Sequence, residues 1–151
     1  MNLSTSASIF KANPTLAQVN SWCIGTLGEN LGIELIEIGP DFLRGRMPVD
    51  HRTKQPFGLL HGGASIALAE TLGSIAAQLV AGPAFQALGI EVNGNHVKSV
   101  SAGFVIGTAR PLHIGGKTQI WDIRIENEQA ELVCVSRLTV VVRAAVAKEP
   151  S

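Results

Sequence analysis

The chain is short of cysteine, of charge and of long unbroken apolar runs, and each shortage removes a class of function. Cys23 and Cys134 are its two cysteines in 151 residues. They stand far apart in different kinds of segment, so they make neither a CxxC site nor a disulfide framework, and buried reduced thiols are expected. Charged residues make up 16% of the chain and cancel to a formal net charge of zero, which leaves nothing that advertises a nucleic-acid or anionic-membrane partner. No apolar run approaches the roughly 18 residues of a membrane span, and Met1 to Phe10 lacks the basic and apolar regions of a secretion signal. The expectation is a cytoplasmic protein with no membrane partner.

What is present is apolar bulk. Hydrophobic residues make up 46% of the chain, high for a soluble monomer, so part of that surface is expected to be buried between subunits. The length suits one domain with its own core. No repeat or linker divides it, and residues 1–13 and 144–151 are expected to be flexible ends.

The charge shortage is concentrated in one place. From Gln55 to Ile90 there is no Lys, Arg or Asp, and Glu70 is the only formal charge. Gly58 to Ala81 reads as an apolar helix of small residues opened by Gly62 and Gly63 and closed by Ala81-Gly82-Pro83. A solvated helix would carry charges on one face, so this one is expected to be swallowed by the rest of the protein. A lone carboxylate there needs a partner or a task.

Around this helix the pattern is mostly strand. Asn13-Pro14 signals a helix start, with Asn13 as N-cap and Pro14 at the first helical position, and the helix is expected to stop near Gly25 to Gly28. Gly32 to Ile38, a turn at Gly39-Pro40-Asp41, and Phe42 to Val49 form a hairpin whose second strand alternates apolar residues with Arg44 and Arg46. Beyond the helix, strands are expected at Leu88 to Asn93, from Val97 to a break at Arg110-Pro111, at Gln119 to Ile125 and at Leu132 to Val141. Short turns join them, Gly115-Gly116-Lys117 among them, and Trp121 and Phe104 are assigned to the core. Five or six strands joined by short turns, with one long helix after the second, predict an α+β fold, a curved antiparallel sheet around a single buried helix.

At 100° per residue, Leu68, Leu72, Ile75, Ala76 and Leu79 share one side of the helix, while Glu70, Ser74 and Ala77 lie on the other. Glu70 and Ser74 are one turn apart. The small residues suit a sheet wrapped around the helix or a paired helix from another subunit equally well. Gly62 and Gly63 either relieve a tight corner or leave N–H groups free to hold an oxyanion. His61 alone is more often structural than catalytic. Together, His61, two glycine amides and an isolated carboxylate read as an acyl-transfer site.

These residues resemble the hotdog-fold acyl-CoA thioesterases, in the branch that holds the Arthrobacter-type 4-hydroxybenzoyl-CoA, phenylacetate-pathway and 1,4-dihydroxy-2-naphthoyl-CoA enzymes. The matching segments are Gln55-Pro56-Phe57-Gly58-Leu59-Leu60-His61-Gly62-Gly63 with Glu70, then Gly89 to His96, Arg110 to Gly115, and Ser136-Arg137-Leu138-Thr139. The resemblance implies a hotdog fold and hydrolysis of an aryl or medium acyl-CoA, with Glu70 as nucleophile or general base. It implies that Gly62 polarises the thioester carbonyl, that Gln55 and His61 lie near the same oxygen and the departing sulfur, and that Ser74 orients the carboxylate or water. It places coenzyme A along Gly89, the strand segment His96-Val97-Lys98-Ser99 and the loop His113-Ile114-Gly115-Gly116-Lys117-Thr118. Read without the resemblance, that loop is an ordinary hairpin turn. No cofactor and no metal are expected, since coenzyme A belongs to the substrate. Sites shared across a dimer interface are implied, with Glu70 and the Gln55/His61/Gly62 group on different subunits, and so is a homotetramer made of two dimers. Phe57, Leu60 and Val80 are candidates for the acyl pocket. The alternatives are a hydratase or dehydratase on the same architecture and a non-catalytic acyl-CoA binding module.

Overall fold

A computed structural model describes residues 7–146. In chain order the elements are helices α1 (Leu16–Ser21) and α2 (Leu27–Asn30), strands β1 (Glu34–Ile38) and β2 (Leu43–Pro48), helix α3 (Gly62–Ala81), and strands β3 (Phe85–His96), β4 (Phe104–Ile114), β5 (Thr118–Asn127) and β6 (Leu132–Ala144). The six strands form one antiparallel sheet in the order β1-β2-β4-β5-β6-β3, and α3 packs against five of them. This is the hotdog architecture. By length and composition α3 is apolar enough to cross a bilayer, but it is the core helix of the sheet that curls around it.

The alternation seen in the sequence is what the sheet uses. Leu43, Gly45 and Met47 of β2 and Trp121, Ile123 and Ile125 of β5 are buried, while Arg44, Arg46 and Arg124 face outward. On α3, Leu68, Leu72, Ala69, Ala76 and Ala77 lose all contact with solvent, and each fully buried Leu contributes roughly 1.5–3 kcal/mol. Glycines on both the helix and the sheet allow their close approach. The cross-strand pair Gly45 and Gly107 makes a notch in which Leu72 sits, and a Cβ on either glycine would come within 2.6 Å of a Leu72 methyl. Gly73 is pressed in the same way against Leu138 of β6.

Several expectations need correction. Asn13 does not cap α1; its φ is +41°, and the cap is Thr15, which forms a reciprocal capping box with Gln18. The helix stops at Ser21 instead of reaching Gly25 to Gly28, and α2 follows, capped by Thr26. One turn is too short to show a period, which is why the sequence pattern missed it. Residues 9–11 of the expected flexible end are docked: Phe10 is buried, and Ile9 and Lys11 donate backbone bonds to Pro40 and Leu79. Residues 1–6 and 147–151 lie outside the described residues. Val97 to Gly103 is loop, so Val97, Lys98 and Ser99 are not strand, and β4 starts at Phe104. Pro111 does not end β4, because β2 stops opposite Ala109 and the strand has no neighbour on that side to miss the proline N–H.

Candidate active site

Helix α3 places the chemistry. His61 is its N-cap, and His61 Nδ1 accepts the Gly63 N–H at 2.8 Å. An imidazole whose Nδ1 accepts carries its proton on Nε2, leaving that N–H as a donor. Ala64 and Ser65 donate back to the His61 carbonyl. The Gly62 N–H has no hydrogen-bond partner among the described residues, and it lies in the first turn at the positive end of a 20-residue helix.

Strand β3 lies along one face of α3. His96 sits over Gly62, its Nε2 2.7 Å from where a Cβ would stand. Gly94 faces Ile66, and Gly89 faces Glu70. At the other end Gln78 accepts the Ala87 N–H and donates to the Phe85 carbonyl.

Two of the clefts along α3 hold Gln55, Gly62, Glu70 and Ser74. The first, about 390 Å³, is lined by Gln55, Leu60, Gly62, Ser65 and the run His96-Val97-Lys98-Ser99. Here Gln55 Oε1 accepts the Phe57 N–H, which leaves the amide's NH2 as a donor beside the free Gly62 N–H. The second, about 510 Å³, is lined by Glu70, Thr71 and Ser74 on one wall, and by Trp22, Cys23 and Leu27 from the α1–α2 segment on the other. Glu70 is half-buried, less enclosed than the sequence suggested. Ser65 and Glu70 stand about 140° apart around the helix, and Glu70 is about 12 Å along it from Gly62.

The structure therefore brings together some of the expected site and separates the rest. Gln55 and Gly62 share a cleft, and Glu70 and Ser74 share another. His61 is not in the cleft of Gln55 and Gly62. Its ring turns to the flank lined by Arg52, Lys54, Gly63 and Ala67, two of which, Gly63 and Ala67, also line the Glu70 cleft. The imidazole over Gly62 is that of His96. Gly89 is not with the other coenzyme A candidates but against the Glu70 carboxylate. His96 to Ser99 lie at the start of α3, whereas Ile114, Gly115 and Gly116 line a cleft with Val80 and Ala81 at its far end, roughly 30 Å away for a 20-residue helix. Within one chain a single ligand cannot use both. Gly115 N–H closes the β4–β5 hairpin onto Thr118, and Lys117 accepts from Val142 through its carbonyl. Lys98 is paired with Glu131 at 3.1 Å. Of the acyl-pocket candidates, Leu60 lines the first cleft, Phe57 is 88% exposed, and Val80 is buried near the far end.

The thiols are quiet. Cys23 and Cys134 are both buried, and burial pushes each thiol up from its ordinary value. Among the described residues no three His, Cys, Asp or Glu side chains converge where they could hold a metal ion.

Comparison with known proteins gives a consistent set. The family model described as thioesterase superfamily matches residues 57–134. The chain is 49% identical over 134 residues to a proofreading thioesterase, EntH, of Cronobacter turicensis, spanning 89% of this chain and 98% of that protein. It is 46% identical over 134 residues to the 1,4-dihydroxy-2-naphthoyl-CoA hydrolase of Escherichia coli K12, with 89% and 98% covered. Among solved structures it resembles a thioesterase of Haemophilus influenzae, with a TM-score of 0.88, 43% identity, and 90% and 95% of the two chains covered.

Proposed function

The chain belongs to the thioesterase superfamily and is a thioesterase, and from that premise we propose that its substrate is an acyl-CoA with an aryl or medium acyl group. The reading rests above all on the first cleft, whose lining includes both Gly62, with its unpartnered N–H at a helix N-terminus, and Gln55. Two donors there suit the oxygen of a thioester carbonyl as it becomes an oxyanion. Glu70 is the reacting carboxylate, attacking the carbonyl carbon or taking a proton from water, and Ser74 one turn on orients it or that water. His61 offers its Nε2–H from the flank of the helix to the departing sulfur. The reaction consumes water and releases a free acid and coenzyme A, and the proposal assigns it no cofactor or metal.

Because one chain holds Glu70 and the two donors in different clefts, the reading requires two chains. Strand β3 is the natural seam: it is a twelve-residue sheet edge that exposes Phe85, Leu88 and Ile90, and such an edge is a template for pairing. Pairing there sets Glu70 and Ser74 of one subunit against Gln55 and Gly62 of the other. It also lets coenzyme A run from His96, Val97, Lys98 and Ser99 of one chain to His113, Ile114, Gly115, Gly116, Lys117 and Thr118 of another, with two such dimers forming a tetramer.

The test is release of coenzyme A from a panel of aryl and aliphatic acyl-CoAs, followed as free thiol. Wild type should turn over at least one class and Glu70→Ala should lose that turnover. Binding of the panel without release from any member would refute the proposal and favour a binding module.

A further inference from the structure

Glu70 rests on a backbone that has been shaped to leave it room. Along the contact between α3 and β3, the strand meets the helix at Gly62, Ile66 and Glu70 in turn. Where the helix presents its carboxylate, the strand presents Gly89, and a Cβ there would stand 2.7 Å from Glu70 Oε1, with Leu138 Cδ1 at 3.2 Å. At the same point the β3–β6 ladder slips. Gly89 pairs with Val140 and Glu91 with Thr139, so Ile90 is an extra residue and β3 bulges. A bulge of this kind re-aims its neighbours, and bulges gather beside active sites for that reason. Gly89 is not among the glycines with positive φ, so its backbone does not demand glycine. A Cβ there would instead make the carboxylate shift, and press on the Leu138 methyl.

We propose that Gly89 and the bulge at Ile90 form a positioning element for Glu70, fixing where its carboxylate reaches across the subunit seam. The inference rests on the reading of Glu70 as the reacting group. A methyl at position 89 would force the carboxylate back by roughly 0.7 Å before contact reached an ordinary 3.4 Å. Misplacing a reacting group by about 1 Å costs on the order of a hundredfold in rate. The next nearest group to that methyl is the Leu138 side chain, at 3.2 Å.

The experiment is a cycle of Gly89→Ala with Glu70→Asp and Glu70→Ala, and Gly94→Ala as the control. Gly94 meets α3 through the Ile66 Cδ1 methyl, so G94A makes the same kind of close approach on the same strand and helix with no carboxylate involved. Each variant is measured for kcat, KM and melting temperature. G89A should lose on the order of ten- to a hundredfold in kcat with KM within about twofold, whereas G94A should lower the melting temperature and keep kcat. Aspartate is one methylene shorter and fits beside the new methyl, so G89A/E70D should turn over faster than the product of the two single losses allows. In the Glu70→Ala background, G89A should lower the melting temperature less than it does in wild type, leaving only the Leu138 contact to resist the methyl. Wild-type kcat in G89A, a double variant no better than the product of the singles, or equal destabilisation by G89A with and without the carboxylate would each overturn the proposal. If G89A fails to fold, folding of G89A/E70D supports it and failure of both overturns it. Full activity in Glu70→Ala alone would instead defeat the underlying reading of Glu70.

Discussion

His61 caps α3 and, in the proposed reaction, also donates to the departing sulfur, and two substitutions separate these tasks. Its Nδ1 satisfies the Gly63 N–H at 2.8 Å, one of the four amide groups that an α-helix leaves without internal partners at its start. That bond fixes the neutral tautomer and puts the remaining proton on Nε2, where the proposed chemistry uses it. His61→Ala removes both the cap and the donor. Losing an N-cap side chain costs about 1 kcal/mol, which in a domain of this size lowers the melting temperature by roughly 2–4 °C. His61→Asn keeps an acceptor within reach of Gly63, since asparagine is among the best N-cap residues, and loses only the imidazole N–H. Thermal melts followed by circular dichroism should therefore show a drop for H61A and none for H61N. Steady-state release of coenzyme A should show both variants slowed by on the order of 10²- to 10³-fold, the usual loss for one donor to a developing anion. Wild-type turnover in H61N would refute the catalytic task, and an unchanged melting temperature in H61A would refute the capping one.

Other consequences follow from groups away from the helix start. Arg52 beside Asp50 donates hydrogen bonds that hold the Asp50 carboxyl down to about 2, below its ordinary 3.8. The stabilising contribution of that pair is thus complete above the ordinary value and lost as pH falls toward 2. The melting-temperature gap between wild type and Asp50→Asn should be present at pH 6 and close on approach to pH 2, and a gap independent of pH would contradict the assignment. Burial raises both thiols, so Cys23 and Cys134 should resist a thiol reagent at pH 7 in the folded protein and react only in denaturant. Rapid labelling of either in the native state, read by mass spectrometry, would contradict the packing at that residue.

The central helix and the sheet were legible because burial leaves marks that a sequence carries directly. The 36 residues from Gln55 to Ile90 carry one charge, and within them the run between Gly62 and Gly82 reads as an interior helix, while the alternation in Leu43 to Val49 and Trp121 to Ile125 reports two-faced strands. What escaped was set by contacts distant in sequence. Thr15 rather than Asn13 caps α1 because Asn13 adopts a positive φ where residues 9–11 dock against the core. Pro111 continues β4 because β2 is too short to need its N–H. The site shows the same division. Residue types at positions 61, 62, 63 and 70 suggested acyl-transfer chemistry and the resemblance added positions 55 and 74, but their order along the chain holds no record of which flank of α3 each occupies. Gly89 entered only as a coenzyme A position implied by the resemblance, and its 2.7 Å approach to Glu70, measured from where a Cβ would stand, is a contact no sequence pattern records.

In the proposed arrangement two chains complete one site, and subunit mixing tests this directly. Glu70→Ala and Gln55→Ala proteins, each purified inactive, are mixed in equal amounts, with exchange verified by mass spectrometry of the intact oligomer, and assayed for release of coenzyme A. Random exchange makes half of the dimers mixed, each with one complete site of its two, so roughly a quarter of wild-type activity should return. Proven exchange without any return of activity would contradict the shared site.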